Sequence, residues 1–176
     1  MKKIIITINL VIVFIIIYLL HLNFFSWFNL AGVKPNLFVI FILCIGLFSN
    51  RKQGVIFGVI FGILLDLLTE KNMVNAILLS VIGFLGGYFD KKFSKDSKFT
   101  ILIMVLLSTI IYESGYVIIN NIINKALLNV GYFIRVLIIE MFYNSIITVI
   151  MYYAIIKYGY KIEEQYKEKR ILTRYF

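Results

Sequence analysis

Apolar residues arrive in six runs separated by short polar breaks, at 4–20, 36–48, 54–68, 73–89, 99–119 and 132–156. None alternates apolar and polar positions as a membrane barrel strand would. A chain in lipid must pair its backbone groups internally, so each run predicts a helix. About 20 residues are needed to cross a bilayer. The second and third runs fall short of that and must extend into flanking polar residues or sit where the bilayer thins.

The third run contains a pattern of its own. In "GVIFGVIFGILLD", Gly54, Gly58, Gly62 and Asp66 recur at every fourth position. Successive fourth residues drift by about 40° on a helix, so the four form one gently winding strip. Small residues let a neighbouring helix backbone come close. That neighbour belongs either to this chain or to a partner. Gly83 and Gly86, with Gly87, offer a second close-approach surface in the fourth run.

Composition sharpens the class. The chain has 176 residues, 61% hydrophobic, with a mean hydropathy of +0.94. These values predict an integral membrane protein. Six spans of roughly 20 residues would use about 120 residues, leaving no room for a separate soluble catalytic domain. The expected organisation is a six-helix transmembrane domain at 1–160 and a short charged tail at 161–176. The first run follows Lys2 and Lys3 but is long for a signal peptide. Aromatic "NFFSWF" follows it in place of a cleavage site, so it reads as an uncleaved span. Cys44 stands alone in mid-span, as a small buried hydrophobe.

The net charge of +9 changes the picture only through its distribution. Lys2, Lys3, Arg51, Lys52, Lys91, Lys92, Lys95, Lys98 and the basic residues from Lys157 onward fall on one side of the six spans. The other side holds Lys34, Lys71 and Lys125. The positive-inside rule then places both termini in the cytoplasm, and the charge calls for no nucleic acid. Phe24, Phe25, Trp27 and Phe28 form an outer aromatic girdle; Tyr152, Tyr153, Tyr158 and Tyr160 form an inner one. The stretch "INNIINKALLNVGY" at 119–132 is a candidate interfacial helix.

With that orientation, the polar residues inside the runs gather toward the outer side. Pro35 and Asn36 open the second span, and Asn75 opens the fourth. Asp66 ends the third, Glu113 lies in the outer half of the fifth, and Arg135 and Glu140 enter the sixth. An ionisable group at the helix centre costs about 2.5–3.5 kcal/mol on insertion scales. Arg135 therefore has two candidate partners, Glu113 and Glu140, in a structural ion pair or a functional contact. His21 is the only histidine, which excludes a multi-histidine metal site. HExxH, GxSxG and P-loop motifs are absent. The chain reads as a non-enzyme without cofactors.

The stretch "VKPNLFVIFILCIGLFSNRKQGVIFGVIFGILLDLLTEKNMVNAILLSVIGFLGGYFDKK" (33–92) resembles the rod shape-determining protein MreD family. The resemblance rests on Pro35, Asn36, Gly58, Gly62, Asp66, Asn75, Ala76, Gly83 and Gly86 in that order. One departure is the loop "LLTEKNMVNA", where the family usually has a glycine-rich turn. The resemblance implies a non-enzymatic scaffold of the bacterial elongation complex, which directs lateral peptidoglycan synthesis and cell shape from the cell membrane. It implies a single-span MreC-like partner, with MreB, RodA and a penicillin-binding transpeptidase in the same complex. It also implies a fold like the six-helix substrate-binding subunit of energy-coupling-factor transporters. That likeness keeps an alternative open: a substrate-binding subunit of a vitamin transporter, with the outer polar cluster as its ligand pocket.

Overall fold

The computed structural model describes residues 2–24, 32–69, 73–90, 92–93, 95, 97–125 and 129–167. Among them are six α-helices: α1 (Lys2–Leu19), α2 (Leu37–Phe48), α3 (Arg51–Thr69), α4 (Val74–Phe89), α5 (Lys98–Asn124) and α6 (Val130–Tyr166). A π-helical turn, Leu20–Phe24, extends α1. Phe25, Trp27 and Phe28 of the expected girdle lie outside the described residues, as do Lys71, Lys91 and the tail beyond Lys167.

Among the described residues, four helices are long and apolar enough to cross a membrane: α1 with its π turn, α3, α5 and α6. The third run, short by its apolar residues alone, gains Arg51, Lys52 and Gln53 at one end and Thr69 at the other and reaches 19 residues. Helices α2 and α4 stay short, at 12 and 16 residues. Their lengths, about 18 and 24 Å at 1.5 Å per residue, fall below a ~30 Å hydrocarbon core. Protein, not lipid, surrounds α2. It buries Phe38, Val39, Ile42, Leu43, Leu47 and Phe48, and an all-round apolar helix belongs in such a core. Helix α4 packs most extensively on α3 and next on α2. Helices α1 and α6 lie at the periphery, with 11% and 17% of their most apolar windows buried.

Local chemistry sets the helix starts. The Asn36 side chain accepts from Val39 N at 3.3 Å and opens α2. Asn50 Oδ1 accepts from Gln53 N at 3.0 Å, and Asn129 Oδ1 from Tyr132 N at 3.0 Å. Each satisfies a donor that a helix start leaves free. The stretch 119–124 departs from the expected interfacial helix. It continues α5 without a break to Asn124, and the chain turns only at Lys125, whose φ is 49°.

The end of the bundle that carries Asp90 and Lys167 is tied by ions. Lys95 meets Asp90 at 3.1 Å and Glu163 at 2.6 Å, and Lys167 meets Asp90 at 2.5 Å and Glu163 at 3.2 Å. Burial works against both ammonium groups. At Lys95 the Glu163 and Asp90 carboxylates outweigh it and hold the pKa above the ordinary lysine value. At Lys167 burial prevails and the pKa is lowered. The four side chains fasten the C-terminal turns of α6 to the end of α4.

Candidate functional site

The glycine strip is consumed inside the chain. A Cβ on Gly58 would strike the Leu79 carbonyl oxygen and stand 2.7 Å from Ser80 Cα. One on Gly62 would strike Ala76 Cα, and one on Gly54 the Gly83 carbonyl. From the other side, a Cβ on Gly83 would meet Gly54, and one on Gly86 would meet the Leu43 carbonyl of α2. The two helices touch backbone to backbone along α3, and α4 is wedged between α2 and α3. Gly54, Gly58, Gly62, Gly83 and Gly86 are all buried, so their faces are covered by helices of this chain.

The strip ends at Asp66, which is 3% exposed. One carboxylate oxygen accepts from Asn75 N at 3.2 Å and from Asn75 Nδ2 at 2.8 Å. The other accepts from Ala76 N at 2.8 Å. These are the first amides of α4, whose own N-cap residue, Met73, makes no side-chain cap. Asp66 therefore caps a neighbouring helix, where the positive end of the helix dipole favours a carboxylate. Asn75 is held further by the Tyr112 hydroxyl, which donates to its Oδ1.

Asn36 belongs to a second network. Its backbone N–H donates to Asn144 Oδ1 at 3.0 Å, and Asn144 Nδ2 donates to Thr109 Oγ1 at 2.9 Å. Asn144 and Thr109 are fully buried, and the chain of bonds joins α2, α5 and α6. Pro35, also buried, immediately precedes the Asn36 cap of α2.

The two networks flank a cavity of about 190 Å³ at the end of the bundle where α1 and α3 finish and α2 and α4 begin. Among its lining residues are Asn36, Asn75, Tyr112, Glu113 and Glu140. Glu113 is 7% and Glu140 4% exposed. One oxygen of Glu140, Oε1, is buried with no hydrogen-bond partner among the described residues, while the side chain as a whole is hydrogen-bonded to Glu113. Tyr112 and Tyr116 stand with rings 6.2 Å apart and nearly parallel.

Arg135 stands apart from this arrangement. It is exposed and does not line the cavity. Five residues separate it from Glu140, about 140° around the helix, so the two occupy different faces of α6. The buried stripe of α6 runs through Glu140, Asn144, Thr148 and Tyr152. Sequence reasoning passed over Asn144, Thr148, Thr109 and Tyr112. Their signal was spacing: polar residues four apart at 140, 144 and 148, and again at 108 and 112 and at 109 and 113. It also used His21 and Lys34 only in the metal and charge arguments, although both line the cavity.

An all-helical bundle with four long apolar helices, tied internally by backbone contacts between glycines and by buried hydrogen bonds, defines a helical membrane protein. The model of the rod shape-determining protein MreD family matches residues 1–162. The chain belongs to that family, and its role is in determining rod shape. No curated protein and no solved structure matches the chain significantly.

Proposed function

We propose that the chain is a non-enzymatic scaffold in the bacterial cell membrane, with six spans and both termini in the cytoplasm. It binds a single-span MreC-like partner and helps direct lateral peptidoglycan synthesis within the elongation complex. MreB, RodA and a penicillin-binding transpeptidase are the proposed companions. The observation that carries this reading is the family match along residues 1–162. The partner's span needs an accessible helix face. The glycine faces are occupied within the chain, whereas α6 presents Ile138, Phe142, Val149 and Ile150, each more than half exposed. These faces support a partner helix against the periphery of the bundle and not along the glycine strip.

The test is recovery of the tagged, full-length protein from gently solubilised membranes, with photo-crosslinking residues at Ile150 or at Ile8 of α1. A crosslinked single-span wall-synthesis protein supports the scaffold. Recovery of a multi-span coupling subunit with paired ATPases in its place overturns it.

A further inference from the structure

The end of the bundle fastened by the Lys95 and Lys167 ion pairs carries further cations that those pairs leave out. Arg51 opens α3. Its guanidinium carbon lies 5.5 Å from the Phe84 ring centroid and 4.9 Å from that of Tyr88, both on α4. Lys92, exposed just past the end of α4, places Nζ 4.7 Å from the same Tyr88 centroid. Two cations on one ring stand within roughly 10 Å of each other, about one Debye length at 0.1 M salt, and repel. Among the described residues no carboxylate forms an ion pair with either, since Asp90 and Glu163 are taken by Lys95 and Lys167. The rings hold the two cations in place without supplying a net negative charge.

The surface beside this patch is apolar and continuous. Ile77, Val81 and Phe84 are 55%, 40% and 44% exposed, and with Tyr88 they fall within about 60° of one another around α4. From Ile77 to Tyr88 the stripe rises about 16 Å at 1.5 Å per residue, close to half of a ~30 Å hydrocarbon core. A ligand that fits both parts has a negative head at the Tyr88 end and about one leaflet of hydrocarbon along the stripe. A soluble anion would use the head alone. We propose that Arg51 and Lys92 bind the phosphate of an anionic phospholipid, whose acyl chain lies along Ile77, Val81 and Phe84. Arg51 offers a fork of N–H donors to the phosphate oxygens and Lys92 a point charge. Basic pockets between helix ends suit such headgroups.

The experiment uses the full chain, delipidated in maltoside micelles and titrated with phosphatidylglycerol or with phosphatidylcholine of the same acyl chains. Bound lipid is counted by native mass spectrometry. Phosphatidylglycerol is expected to bind at least about fivefold more tightly, the effect of one basic residue at a membrane surface, and up to about thirtyfold with two. Arg51→Gln combined with Lys92→Gln should remove the preference. Lys161→Gln, whose ammonium rests on Tyr158 of α6, should keep it. Equal affinities for the two lipids, or a preference that survives the double substitution, overturns the proposal. So does an equal loss in Lys161→Gln, which would mean that net charge alone attracts the lipid. Inorganic phosphate should displace no more phosphatidylglycerol than chloride at the same ionic strength; specific displacement would assign the patch to a soluble anion instead. If the double variant does not fold, Lys92→Gln alone decides, because that exposed side chain lies outside α4, and the preference should fall about fivefold.

Discussion

At the residue scale, Asp66 is the clearest case of a buried charge with a structural reason. Its carboxylate replaces water for amides of α4 that no side chain of α4 itself reaches. Asp66→Ala should lower stability by about 2 kcal/mol or more, since hydrogen bonds to charged groups are worth about 1.5–3 kcal/mol. Asp66→Asn should recover part of the loss by keeping one acceptor. Thermal unfolding of the purified variants in detergent checks the order. Met73 is the complementary case. Its φ of 51° lies in the left-handed region, which costs a residue with a Cβ about 1–2 kcal/mol. Met73→Gly should therefore leave the melting temperature unchanged or raise it, with the strain relieved offset in part by the entropy of glycine in the unfolded chain. A clear fall would show that the Met73 side chain, 61% exposed, makes a contact that matters.

At the element scale, the α3–α4 pair rests on the absence of side chains. Gly58→Ala places a methyl group against the Leu79 carbonyl of α4, and backbone cannot step aside as a flexible side chain can. A loss of about 3 kcal/mol or more is expected, at the upper end of overpacking costs. Ile60→Ala, on the half-exposed side of the same helix, should cost little, because lipid is as apolar as the side chain removed. Folded yield and melting temperature measure both. A Gly58→Ala protein that is stable yet fails to recover its partner would return the strip to an intermolecular role. The period of four in the strip was legible in the sequence, and so were the six apolar runs. The identity of the facing helix was not. Small residues state that a backbone comes close, and either α4 or a foreign span meets that need equally well. The reach of α5 to Asn124 was hidden for a similar reason: Asn alternating with Ile suits a protruding helix as well as an interfacial one. Arg135 was misplaced because depth along a helix was read without its angle. Asn144 was missed because an amide in an apolar run carries no charge to draw notice.

At the scale of the whole molecule, the two ends of the bundle differ in kind. One is fastened by the Lys95, Lys167, Asp90 and Glu163 ion pairs. The other holds a cavity lined by carboxylates and tyrosines. Helix α5 has 27 residues, about 40 Å at 1.5 Å per residue, so its two ends reach beyond opposite faces of a ~30 Å core. Which end faces outward decides what the cavity can meet. The concentration of Lys and Arg at the ion-paired end predicts that this end is cytoplasmic. Cysteine labelling tests it in a Cys44→Ala background, since Cys44 is the only cysteine. A cysteine placed at Val130, 55% exposed at the start of α6, should react with a membrane-impermeant maleimide in intact cells. One placed at Ser97, exposed just before α5, should react only after the membrane is opened. The reverse pattern would turn the molecule over. The cavity would then face the cytoplasm, and the ion-paired end would lie on the outer side.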